Sequence, residues 1–152
     1  MARTPTPPMP DQPTRDALPL ARLQGVRKCY GAITALDGLD LSLHAGQVTA
    51  LLGANGAGKT PAVGLLLGLL SADAGTVEVF GQSPTVLAVR QRVGTMLQSA
   101  NIPERLKVRE LLALVCSYYP QPRSMADCVA MAGLDDLLER RYGKLSGGQQ
   151  RR

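Results

Sequence analysis

Short apolar-rich runs at residues 20–28 and 39–44 predict two strands, with a turn at Tyr30-Gly31 between them. A third run of strand length, 47–52, is followed by glycines and then by 62–70, an apolar stretch that suits a buried helix. The turn-forming residues 72–75 introduce a strand at 76–80, and 93–97 reads as a further strand ending before Gln98. From 105 to 141 the period becomes helical: a helix over 108–119, a break at Pro120 and Pro122, a helix over 125–132, and an amphipathic surface helix over 134–141. This order predicts an α/β core with an antiparallel strand group at one edge, followed by a helical segment.

The chemistry sits at two glycine-rich points on this pattern. Gly53, Ala54, Asn55, Gly56, Ala57, Gly58, Lys59 and Thr60 fit the spacing G-x-x-x-x-G-K-[ST]. In such a loop, main-chain N–H groups cradle phosphates, Lys59 neutralises the outer oxygens, and the Thr60 hydroxyl holds Mg²⁺. The predicted strand before it and helix after it place a helix N-terminus at the anion. Pro61 departs from this chemistry, because proline removes an N–H where the cradle uses such donors. Weakened nucleotide binding is the expectation. The second point is Leu145, Ser146, Gly147, Gly148 and Gln149, where Ser146 reads as a helix N-cap and the glycines allow close approach of main-chain donors to a phosphate.

Together these two segments resemble the ATP-binding subunit of an ABC transporter, from about residue 20 to 152. The resemblance implies a P-loop NTPase core of ABC type with an antiparallel β edge and a helical subdomain, truncated before the Walker B strand. It divides the chain into a proline-rich disordered tail at 1–19, a core at 20–104, a helical subdomain at 105–144 and the signature at 145–152. Tyr30 then resembles the aromatic that stacks on adenine, and Gln98 the Q-loop glutamine that reaches Mg²⁺ and the attacking water. Gly53, Asn55, Gly56, Ala57, Gly58, Lys59 and Thr60 become the ATP ligands, with Thr60 and Gln98 serving Mg²⁺. Ser146, Gly147, Gly148 and Gln149 face the ATP of a second cassette in a head-to-tail dimer.

The resemblance also implies parts that these residues do not contain: a Walker B aspartate, a catalytic glutamate and a switch histidine after the signature. The aspartates at Asp135 and Asp136 precede it, and His44, the single histidine, precedes the glycine loop. A fragment unable to hydrolyse ATP efficiently by itself is expected, within a family that couples hydrolysis to transport. The implied partners are a second cassette and a separate membrane permease, and the implied place is the cytoplasmic face of the cell membrane. The segment 141–144 lacks the acidic stretch of fused exporters, so the chain looks more like stand-alone cassettes of bacterial drug or polysaccharide exporters. Two other readings stand beside it: a degenerate, non-hydrolysing nucleotide-binding module, and a soluble ABC protein acting on ribosomes or DNA.

Composition narrows the picture further. The net charge of +5 suits an anion-binding protein, but the basic residues are scattered and aromatics make up only 3%, so no nucleic-acid partner is expected. Cys29, Cys116 and Cys128 show no C-x-x-C spacing and read as reduced thiols. The longest apolar stretch, around 62–72, is too short to span a bilayer.

Overall fold

The computed structural model describes residues 18–96 and 102–152, which form two compact units dividing between Arg90 and Gln91. In the first unit, β1 (Ala21–Tyr30), β2 (Ile33–Leu43) and β3 (Ala74–Val79) make an antiparallel sheet in the order β2-β1-β3. The β1 side chains alternate in and out as far as Leu23, then Gly25 is inserted with φ of 53° and its N–H donates to Asp40 Oδ1 at 2.8 Å. This bulge shifts the phase by one residue, so that Val26 points into the core where strict alternation would have exposed it. A side chain at the facing Gly75 would run into the carbonyls of Gln24 and Gly25, so the bulge and that glycine fit each other.

On the buried face lies α1 (Lys59–Leu66), whose Ala62 and Leu65 join Leu23, Val26 and Leu36 in one apolar cluster. The helix stops at Gly68, which has φ of 64° and lies against Pro84 so closely that a Cβ would meet the Pro84 carbonyl oxygen at 2.6 Å. A short helix, α2 (Leu87–Arg90), follows, and the Arg90 guanidinium donates to the Gly68 carbonyl at 2.9 Å.

In the second unit, α3 (Val108–Cys116) and α4 (Met125–Ala132) pack on one another, and a short α5 (Gly147–Gln150) follows a 3-10 turn at Tyr142–Lys144. Their core is Val108, Val129, Leu134, Leu137 and Leu145. Ser124 caps α4 by accepting from the Asp127 N–H at 3.1 Å, and Gly133, with φ of 59°, ends it.

Several expectations are corrected. The run 47–52 forms no strand: Val48 is 102% exposed and Leu52 88% exposed. Likewise 93–96 forms no strand. Apolar strands of this kind belong in the middle of a parallel sheet and need neighbours for their main-chain groups; none of the described strands pairs with them. The amphipathic surface helix expected at 134–141 is instead a series of turns, with Leu134 and Leu137 buried in the core. Its carbonyls have another use, since Leu138 O accepts from the Arg109 N–H at 3.1 Å and Arg140 O from the Val108 N–H at 3.0 Å. These are donors that the first turn of α3 cannot satisfy internally. Conversely, β2 begins six residues earlier than expected, because the two-residue turn after Tyr30 lets Ile33 pair with Tyr30, and the ladder resumes at Leu39 beyond an irregularity at Asp37 and Gly38.

Candidate functional site

The glycine loop leads directly into α1. Residues 53–57 are exposed, Gly58 is buried, and Ala57 N–H closes a turn on Ala54 O at 3.2 Å. Gly56 and Gly58 have φ of 85° and 82°, the left-handed region that favours glycine. At Gly58 there is a second constraint: a Cβ would sit 2.6 Å from both the Ala35 carbonyl oxygen and Leu36 Cδ2. Thus β2 supplies the floor on which the end of the loop rests. Nothing in the spacing of the loop foretold these supporting residues, because they lie on a different strand.

Helix α1 has Gly58 at its N-cap, no side-chain cap and no acidic residue in its first turn. Its first internal bond runs from Ala62 N–H to Gly58 O at 3.0 Å, so the N–H groups of Gly58, Lys59 and Thr60 precede the ladder. Pro61, the third helical residue, contributes none. The Lys59 ammonium donates to Gly53 O and Ala54 O, both at 2.6 Å. Its partners are therefore uncharged carbonyls of the loop, and an oxyanion would be a stronger acceptor. An exposed loop, an open helix N-terminus and this lysine fit a nucleotide phosphate chain. Thr60 is exposed and offers a hydroxyl suited to Mg²⁺, which takes most of its remaining ligands from phosphates and water.

Tyr30 is 47% exposed at the turn end of β1, and its ring lies 5.6 Å from the Lys28 ammonium. Because Tyr30 pairs with Ile33 and Lys28 with Leu36, this aromatic and the residues supporting Gly58 occupy the same end of the β1–β2 hairpin. Asn55 lies in the exposed turn of the loop. Gln98 lies outside the described residues.

In the second unit, Ser146 Oγ accepts from the Gln149 N–H at 3.3 Å while Gln149 Oε1 accepts from the Ser146 N–H at 3.0 Å. This reciprocal pair holds the turn. Gly147 and Gly148 are exposed, with open space where a Cβ would be. The turn is anchored by buried Leu145 and by the Gln150 side chain, which donates to Tyr142 O at 3.2 Å. Gln149 is thus occupied in supporting the turn, a role its place in the motif did not disclose.

Among the described residues, two carboxylates have displaced pKa values, and both lie in the framework. Asp73 is held below its ordinary value by the Cys29 N–H, then by Lys28. Glu139 is lowered by its bond to Lys107, and further by Arg109. A depression of about 410 Å³ on the β1–β2 face is lined by Arg22, Leu23, Gln24, Asp40, Leu41 and Ser42, none of which belongs to the glycine loop.

A family model described as ABC transporter matches residues 36–152, most of the chain. The chain belongs to the ABC transporter family. It is 35% identical over 150 residues to the Nod factor export ATP-binding protein I of Ralstonia nicotianae, covering 94% of this chain and 47% of that protein. It is 36% identical over 151 residues to the daunorubicin/doxorubicin resistance ATP-binding protein DrrA of Streptomyces peucetius, covering 95% of this chain and 44% of that one. This ABC chain therefore spans about half the length of the curated relatives it matches. A solved structure of an ATP-binding subunit of an ABC transporter superposes with a TM-score of 0.77 at 21% identity, over 87% of this chain and 58% of that one. The fold is the P-loop ABC cassette. Among the described residues of this ABC chain, no helix is long and apolar enough to cross a membrane.

Proposed function

We propose that this chain is the ATP-binding part of an exporter-type ABC transporter, acting with a second cassette and a separate membrane permease at the inner face of the cell membrane. The observation that carries the proposal is the exposed glycine loop at the uncapped start of α1, with Lys59 bonded only to loop carbonyls in the structure. The export assignment draws on relatives named for Nod factor export and daunorubicin/doxorubicin resistance.

In this reading the main-chain donors of 53–60 bind the triphosphate, Lys59 neutralises its outer oxygens, and Thr60 with Gln98 serves Mg²⁺. Bound Mg²⁺ would supply charge neutralisation on the phosphate oxygens. Tyr30 gives the adenine a face to stack on. The turn at Ser146, Gly147, Gly148 and Gln149 meets the nucleotide of the partner cassette, with Gln149 supporting it from within. Residues 20–104 form the core, 105–144 the helical subdomain and 145–152 the signature. Pro61, which removes one donor from the helix start, also favours a second reading as a nucleotide-binding module that does not hydrolyse.

Calorimetric titration with Mg-ATP tests the proposal. Saturable binding that disappears in Lys59→Ala, with the circular-dichroism spectrum unchanged, is the expected result. Equal heats from the two proteins would remove the P-loop from the reading.

A further inference from the structure

We propose that Cys116 and Cys128 form a reversible disulfide that staples α3 to α4 when a low-molecular-weight disulfide is present. The chain order brings them together. Cys116 ends α3, Cys128 lies in the first turns of α4, and residues 117–124 join the two helices, which pack on one another. A short connection between packed helices sets the end of the first beside the beginning of the second.

Helical phase points the same way. Cys116 is two turns beyond buried Val108 and one beyond Leu112, both of which belong to the apolar cluster. Cys128 directly precedes buried Val129 and lies one turn before Ala132, also in that cluster. Both thiols are free and half-buried. The burial of Cys116, followed by the charge and hydrogen-bonding influence of Cys128, raises the Cys116 pKa, in keeping with this placement.

The chemistry needs one oxidant. The thiolate of one cysteine attacks a sulfur of oxidised glutathione, the S–S bond of the reagent breaks, and one glutathione thiolate leaves. The second cysteine, as thiolate, then attacks the protein sulfur of the mixed disulfide, joining Cys116 to Cys128 and expelling the second glutathione. Two electrons pass to the reagent, and the two protein protons go to the released thiolates or to solvent. Because the raised pKa of Cys116 keeps its thiol protonated at neutral pH, closure accelerates as the pH rises. Leu145 shares the apolar cluster with Val129, so the staple also fixes the support of the Ser146 turn. That last consequence rests on the function proposed for the turn, whereas the disulfide does not.

The test is thiol titration and peptide mapping of the 152-residue chain after exposure to oxidised glutathione. Of the three thiols, one should remain; the chain should stay monomeric and lose the mass of two hydrogens. Cleavage after Arg109, Arg123 and Arg140 should release 110–123 joined to 124–140, and dithiothreitol should restore all three thiols. Cys29→Ser should leave this result intact, while Cys128→Ser should accumulate a glutathione adduct on Cys116. Stable glutathione adducts on the unaltered chain, a bridge through Cys29, or a chain-to-chain disulfide would each overturn the proposal, whatever the outcome with nucleotide.

Discussion

Position 61 shows how one residue divides the demands of the helix from those of the site. Proline near a helix start breaks no internal bond, and α1 forms normally with Pro61 as its third residue. What is lost is a donor directed outward. Restoring it with Pro61→Thr should tighten Mg-ATP binding about tenfold to a hundredfold, the equivalent of about 1.5–3 kcal/mol for a hydrogen bond to a charged group. Parallel calorimetric titrations of the two proteins check this, and unchanged affinity would mean that no phosphate oxygen uses this donor. The motif made the lysine, threonine and glycines legible in the sequence. The close packing of Gly58 on Ala35 and Leu36 was not, because a loop motif carries no information about the strand beneath it.

Among the elements, two charged junctions hold turns in place. Asp73 ties the turn before β3 to β1 through the Cys29 N–H at 2.6 Å and Lys28 at 3.0 Å, and Glu139 ties the turns after α4 to Lys107 and Arg109, each at 2.7 Å. Both carboxyls have lowered pKa values when folded, against ordinary values of 3.8 for Asp73 and 4.5 for Glu139. The folded chain therefore remains ionised where the unfolded chain takes up protons. The stabilisation is present above the unfolded values and is lost as the pH falls through the lowered folded ones. Urea midpoints should decline as the pH is lowered from about 5 toward 2, and less steeply in Asp73→Asn and Glu139→Gln. Midpoints in the variants that fall as steeply as in the parent would show that these junctions do not carry the acid sensitivity.

For the whole molecule, the described strands pair only within the antiparallel sheet, and the apolar run 47–52 stands outside it. Amide hydrogen exchange should divide accordingly. The amides of β1 that face β2 or β3 should be protected, whereas those of 47–52 should exchange as open backbone. Comparable protection of both segments would contradict the arrangement. The apolar character of 47–52 was legible, but the state of the segment was not, since a strand exists only with a partner. The same distinction applies to 134–141, where a helical pattern yielded to turns whose carbonyls satisfy α3.

By itself, the sequence determined what is settled over a few residues. It specified the glycines of the phosphate loop, the serine cap of α5, the start of α3, and the family to which the two glycine motifs belong. Those signals act through local backbone conformation and side chains one turn apart. The tertiary structure alone decided which apolar runs found partners and which strand supports Gly58. Such outcomes depend on main-chain groups and surfaces distant along the chain, and no periodicity within either segment encodes them.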